Sequence, residues 1–271
     1  MSQQAQRHEM TTKPVVYRLA EMDAVKVRRD VVYQTTEAGV LTMDLYYPPD
    51  PKSQAAPAVI IVAGYPDGGF ERMLGCKFKE MASSVSWGQL AAASGIVAVT
   101  YANREPVTDL ARLLEYLRQN AGDLGIDPSR IALWASSGNV PLALATLMQP
   151  EARDYVKCGV LCYGLTLDLD GGTGVAEAAR MFGFANPCAG KTVRDLPQDL
   201  PLFVARAGQD APQLNEALDR FLSQAIACNL PITFANHPTG PHAFDLMQDS
   251  ETSHEIIRQV LAFLKFHLRE H

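Results

Sequence analysis

Six short apolar runs, spaced along the chain and separated by longer amphipathic stretches, constrain the fold more than any other feature. They are Ala58-Val-Ile-Ile-Val-Ala63, Gly95-Ile-Val-Ala-Val-Thr-Tyr101, Ile131-Ala-Leu-Trp134, Lys157-Cys-Gly-Val-Leu-Cys-Tyr163, Leu202-Phe-Val-Ala-Arg206 and Ile232-Thr-Phe-Ala235. Continuous apolar runs of this length are strands covered on both faces. Helical patterns fall between most of them: 85–93, 107–124 with Leu110, Leu113, Leu114 and Leu117 at helical spacing, 138–148, 211–227, and a closing helix from about 253 to 267. Strands alternating with helices specify a mostly parallel sheet between helical layers. Before this series, 29–35 and 39–47 read as an antiparallel pair, because Leu41, Met43, Leu45 and Tyr47 alternate with Thr42, Asp44 and Tyr46. The expectation is an α/β fold of about eight strands, the first two an antiparallel edge.

The 271 residues contain no repeat, linker or low-complexity tract, so one domain over 23–271 is expected, preceded by a loose arm over 1–22. The alternation lapses at 165–198. There Gly171-Gly-Thr-Gly174 and a short helical pattern from Val175 to Phe182 replace a regular crossover, in the manner of a lid or binding loop.

A net charge of −6 and the lack of any Lys/Arg run argue against a nucleic-acid partner. The polar first ten residues lack the apolar core of a signal peptide, and no apolar stretch approaches the ~18–20 residues that span a bilayer. The five cysteines, Cys76, Cys158, Cys162, Cys188 and Cys228, form no CxxC pair and no cluster with histidine at zinc spacing. Reduced thiols in a cytoplasmic protein, with neither metal nor cofactor, are expected.

The chemistry centres on Ile131-Ala-Leu-Trp-Ala-Ser-Ser-Gly-Asn139, a strand that breaks into a helix at two serines. A serine on such a corner projects its hydroxyl, and the amides that open the helix face whatever it attacks. The usual Gly-x-Ser-x-Gly signature lacks both outer glycines here. Ser136 as nucleophile would put Trp134 at the crowded position two residues before it. Ser137 puts Ala135 there and Asn139 after it, so Ser137 is preferred. Asn tolerates the left-handed angles that a glycine would supply.

A serine nucleophile needs a base, and the base needs an orienting acid. Of six histidines, His8 lies in the arm, His254 and His267 in the closing helix, and His271 is the last residue. His237 and His242 remain, in the loop after the sixth apolar run, and His242 is the preferred base. Asp210, after Leu202–Arg206, falls between serine and histidine in chain order and is the orienting acid, a role compatible with capping the helix that follows. Asp245 lies too near His242 in sequence to be the first choice. The oxyanion would be met by the backbone N–H groups of Gly138 and of Tyr65, since Gly64 lets the chain turn and Pro66 has no N–H. Met181, Phe182 and Phe184, with Cys76 in the 73–83 stretch, are the candidate pocket residues; each could equally be core.

Together these segments resemble the α/β-hydrolase superfamily, and within it the dienelactone hydrolase-like serine esterases. The resemblance runs over about residues 40–268. It rests on Ala63-Gly-Tyr-Pro66, on Asp127-Pro-Ser-Arg-Ile-Ala-Leu-Trp134 leading to Ser137-Gly138, on Gly208-Gln-Asp210, and on Pro241-His-Ala-Phe244. It implies Ser137 as nucleophile, Asp210 as orienter, His242 as base, and amide donors at Tyr65 and Gly138. It also implies cofactor-independent hydrolysis of a small or medium ester, lactone or thioester through an acyl-enzyme. Dienelactone hydrolases proper carry cysteine at the elbow, so Ser137 points to esterase chemistry instead. The competing expectations are a non-catalytic ligand-binding protein of this fold and a serine amidase or peptidase.

Overall fold

A computed structural model describes residues 8–50, 55–167 and 174–270. Its centre is one eight-stranded sheet: β1 (Lys26–Thr36), β2 (Gly39–Tyr47), β3 (Ala56–Ile61), β4 (Val97–Tyr101), β5 (Ile126–Ser136), β6 (Val156–Cys162), β7 (Leu202–Ala207) and β8 (Ile232–His237). The spatial order is β1-β2-β4-β3-β5-β6-β7-β8. Strand β2 is antiparallel to both β1 and β4, and every later pairing is parallel. The fold class expected from the apolar runs is therefore the one found. Residues 58–61 of β3, all of β4 and residues 131–135 of β5 are buried, as strands must be when helices cover both faces.

Among the described residues nine α-helical segments accompany the sheet: α1 (Asp67–Leu74), α2 (Ala82–Ala93), α3 (Pro106–Gln119), α4 (Ala121–Leu124), α5 (Val140–Leu147), α6 (Val175–Phe182), α7 (Pro212–Ala227), α8 (Phe244–Met247) and α9 (Glu251–His267). None is long and apolar enough to cross a membrane. Three differ from the sequence reading. Helix α1 begins inside the glycine-rich stretch after β3, because the extended Pro66 serves as its N-cap and Asp67 and Phe70 of its first turns are buried. The 107–124 pattern is two helices, broken at Asn120, whose side chain turns back to the Tyr116 carbonyl at 2.9 Å. The helix expected from Gly138 opens with a 3-10 turn over Ser137–Asn139 and becomes α-helical at Val140, with Pro141 in its first turn where no N–H is required.

From His8 onward the N-terminal segment is packed on the protein. Val15 and Met22 are buried, the Val15 N–H donates to Ser86 Oγ at 2.9 Å, and the Val16 N–H donates to the Asp245 carbonyl at 2.8 Å. The expected loose arm is thus a strap from residue 8 on; residues 1–7 lie outside the described residues. So do 168–173, which include Gly171-Gly-Thr of the expected insertion.

At the carboxyl ends of the strands, two polar side chains tie the loops together. Asn139 is buried; its Oδ1 accepts from the Gly64 N–H at 2.7 Å and its Nδ2 donates to the Ser136 carbonyl at 3.0 Å. Its φ is −84°, so the left-handed geometry expected for a glycine substitute is not used there. Asp67 is buried as well and accepts from the Asn103 N–H at 2.9 Å and the Phe78 N–H at 3.2 Å. Burial pushes its carboxyl up to about 6, against the pull of these two amides.

Two outcomes follow. Asn139→Ala leaves the Gly64 N–H buried without an acceptor and should destabilise the fold by about 1–3 kcal/mol in urea titration; Asn139→Gly should do the same, and wild-type stability in either would refute the bridging role. For Asp67, the folded protein retains a proton that the unfolded chain releases near 3.8. Its contribution is therefore most favourable below that pH and declines as pH rises through about 6. The unfolding free energy of wild type minus that of Asp67→Asn should fall by about 2–3 kcal/mol between pH 4 and pH 7. A difference that stays flat would show that Asp67 ionises normally.

Candidate active site

Strand β5 ends at Ser136, and the chain turns so sharply that Ser137 takes φ 53°, a left-handed angle costly for a side chain with a Cβ. The carbonyl of Ser137 is held by the Leu165 N–H at 3.3 Å and caps the start of α5 through the Val140 N–H. These bonds hold the corner in place, and the hydroxyl projects from it toward the loops that follow β7 and β8.

His242 comes from the loop after β8. Its Nε2 lies 2.9 Å from Ser137 Oγ, and its Nδ1 lies 2.6 Å from Asp210 Oδ2. Asp210 sits in the turn after β7, its side chain only 5% exposed, while the His242 side chain is 38% exposed. The second Asp210 oxygen accepts from the Ala211 N–H at 2.8 Å. Helix α7 starts one residue later and receives no side-chain cap, so the carboxylate serves the imidazole and not the helix. The acid turn and the histidine loop are joined by backbone bonds from Gln209 N–H to the Gly240 carbonyl at 2.9 Å and from Gly208 N–H to the His237 carbonyl at 2.8 Å. The alternative histidine, His237, is the last residue of β8. It is buried against Ser253 Oγ at 3.1 Å, and burial lowers its pKa. The structure thus brings Ser137, His242 and Asp210 together and leaves His237 apart from them.

The loop after β3 runs beside the serine corner. A Cβ on Gly64 would stand 3.0 Å from Asn139 Cα and from the Gly138 carbonyl oxygen, so only glycine allows this approach without displacement. Among the described residues no protein acceptor lies on the N–H of Tyr65 or of Gly138. The Tyr65 side chain folds over Gly138, where an added Cβ would come within 2.3 Å of its hydroxyl and 2.8 Å of Phe184 Cδ1. Phe70 and Phe184 pack on the Tyr65 ring at 5.6 and 5.7 Å, and burial pushes its phenol up to about 12, so it stays neutral.

Tyr65 also borders a cavity of about 370 Å³ between α1 and α6, with Phe70, Met73, Met181 and Phe182 on its walls. Met181 and Phe182 are exposed there, at 69% and 55%. Phe184 is buried against Tyr65 and Gly138 and does not line the cavity. Cys76 is not on the lining either. It is a buried core residue, because the chain after α1 turns it inward.

Sequence reasoning set aside one residue that stands beneath the base. Asp245, in the first turn of α8, is buried and accepts from Trp87 Nε1 at 2.8 Å and from the Tyr163 hydroxyl at 2.6 Å. The Tyr163 ring meets the His242 imidazole edge to face, with centroids 5.1 Å apart. The signal available in the sequence was the aromatic residue ending β6, at the same strand end as the serine and the acid.

No protein-family model matches the sequence, and comparison with curated proteins finds no relative. Solved structures do match over most of the chain. A bacterial heroin esterase aligns with a TM-score of 0.71 at 17% identity, over 94% of this chain and 88% of its own. A thermophilic esterase from the planctomycete Thermogutta terrifontis aligns at 0.67 and 18%, over 91% and 93%. A hyperthermophilic esterase from the archaeon Pyrobaculum calidifontis aligns at 0.65 and 21%, over 95% and 88%. With its antiparallel edge, its parallel strands and the serine corner after β5, the chain has the α/β-hydrolase fold.

Proposed function

We propose that the protein is a serine hydrolase that cleaves a carboxylic ester, lactone or thioester of small to medium size through an acyl-enzyme on Ser137. The single observation that carries this reading is the position of the His242 imidazole, with one nitrogen on Ser137 Oγ and the other on the Asp210 carboxylate. That arrangement is the chemistry of an activated hydroxyl: Nε2 accepts the serine proton as Oγ attacks the carbonyl carbon, and Asp210 holds Nδ1–H and faces the imidazolium that forms.

The negative charge on the carbonyl oxygen is met by the N–H groups of Gly138 and Tyr65, which have no other acceptor among the described residues. Collapse of the tetrahedral species expels the alcohol or thiol, which takes the proton from Nε2. Water then enters by the same route, and His242 serves as base a second time. The exposed apolar side chains of Met181 and Phe182 across the cavity from Tyr65 favour an apolar group on the substrate. The solved structures of the same fold come from esterases, which supports esters over amides. We place the protein in the cytoplasm, its five cysteines reduced; none forms a disulfide in the structure.

A fluorophosphonate probe with peptide mapping tests the nucleophile: label on Ser137 is expected, and label on Ser136 or none on folded protein would overturn the assignment. Ser137→Ala should reduce kcat/KM for p-nitrophenyl butyrate by about 10⁴–10⁶-fold; near-wild-type turnover would leave a binding protein of this fold as the better reading. Gly138→Ala should push Tyr65 and Phe184 off the serine corner and lower kcat by roughly 10²–10³-fold in protein that remains folded. Unchanged kcat would remove this corner from the oxyanion site.

A further inference from the structure

Beneath His242 the fold buries a second carboxylate with no permanent cation beside it. Asp245 is 3% exposed and, among the described residues, no Lys or Arg pairs with it. Its neighbours come from four directions. Helix α2 supplies the Trp87 indole N–H, itself stacked on Trp134 with centroids 4.9 Å apart. The end of β6 supplies the Tyr163 hydroxyl and, close by, the Cys162 thiol; burial holds both well above their usual pKa, so neither carries charge. The N-terminal strap binds the Asp245 backbone carbonyl through Val16. The histidine loop supplies His242 itself, and His237 at the end of β8, whose pKa burial lowers, packs on Phe244.

The hydrogen bonds suit an ionised carboxyl. Trp87 Nε1–H can only donate, and it occupies Oδ2; the Tyr163 hydroxyl points at Oδ1. Both oxygens are filled by donors, which suits a carboxylate. Burial still raises its pKa, because two neutral donors do not replace water around a charge. Among the charges that act on it is that of His242 when the imidazole is protonated.

Tyr163 joins the two. Its ring packs against the imidazole at 5.1 Å and also against Phe244 at 5.5 Å, so the hydroxyl's bond to Asp245 fixes the wall on which the imidazole rests. Tyr163 has φ 39°, and Ala243, between His242 and α8, has φ 54°. Neither angle suits a side chain with a Cβ, and the Asp245 bonds hold both segments in them.

We propose that Asp245 is a positioning residue for His242: through Tyr163 it fixes the imidazole in the plane that reaches Ser137, and its buried charge favours the imidazolium formed during catalysis. This rests on the reading of Ser137 and His242 as nucleophile and base. Asp210 remains the partner in direct contact; Asp245 acts through Tyr163 and through space.

Asp245→Asn separates charge from shape, because the amide oxygen can accept from Trp87 and the amide N–H₂ can donate to Tyr163 Oη. Two measurements are made on the full chain: the pH profile of kcat/KM with p-nitrophenyl butyrate, and the NMR titration of the His242 imidazole, which needs no turnover. Asp245→Asn should lower kcat/KM about tenfold near neutral pH and move both the acid limb and the imidazole titration to lower pH. Tyr163→Phe, which keeps the ring and removes the hydroxyl, should lower kcat severalfold with KM unchanged, and it carries the test if Asp245→Asn does not fold. An unshifted His242 titration in folded Asp245→Asn, or wild-type kcat in Tyr163→Phe, overturns the proposal. Failure of the hydrolase reading itself would appear separately, as turnover that survives Ser137→Ala.

Discussion

The hydrogen bond from the Gly64 amide to the Asn139 carboxamide sets the spacing on which the site depends. It joins the loop after β3 to the corner after β5, and a Cβ on Gly64 would meet the backbone of that corner at 3.0 Å. The two strands are neighbours, so the sheet already brings their ends close. What the sheet does not fix is the tilt of the two loops against each other. A buried amide that must find an acceptor supplies that restraint, since leaving it unpaired is costly. The N–H groups of Tyr65 and Gly138 then have no acceptor among the described residues, and the strained Ser137 precedes Gly138 in the corner.

A second set of buried polar groups works from the other side. The serine corner is stiffened from above by Asn139, whereas the histidine loop is stiffened from beneath by Asp245, Tyr163 and Trp87. Loops carry the reacting groups because strand ends converge there, but loops move. Here each reacting loop is cross-linked to its neighbour by a buried side chain or by backbone bonds, such as those between Gln209 and Gly240. The result is three separate segments held at hydrogen-bonding distance.

The sheet was legible from the sequence because buried parallel strands leave continuous apolar runs, and the order of serine, acid and histidine was legible because strand ends are where such groups converge. Ser137 over Ser136 also followed from a local argument, the bulk of Trp134. What escaped was set by contacts distant in sequence. Asn139 reads as a glycine gone missing until Gly64, on another strand end, is seen to need its oxygen. Asp245 was discounted for its nearness to His242, a sound objection to direct contact that says nothing of a route through Tyr163. Cys76 looked like a pocket wall only because the path of the chain after α1 carries no periodic signal. The strap from His8 to Ala24 is anchored by two backbone amides, which no side-chain pattern reports.

That strap has a bearing on how the molecule matures. Val16 bonds to the carbonyl of Asp245, which comes far later in the chain. Synthesis runs from the N-terminus, so the serine corner is made before Asp210 or His242. The strap has no carbonyl to close on until the histidine loop has arrived. The bond that seats the strap therefore closes only after the histidine loop has been made, so a segment early in the sequence is fastened by one that comes late.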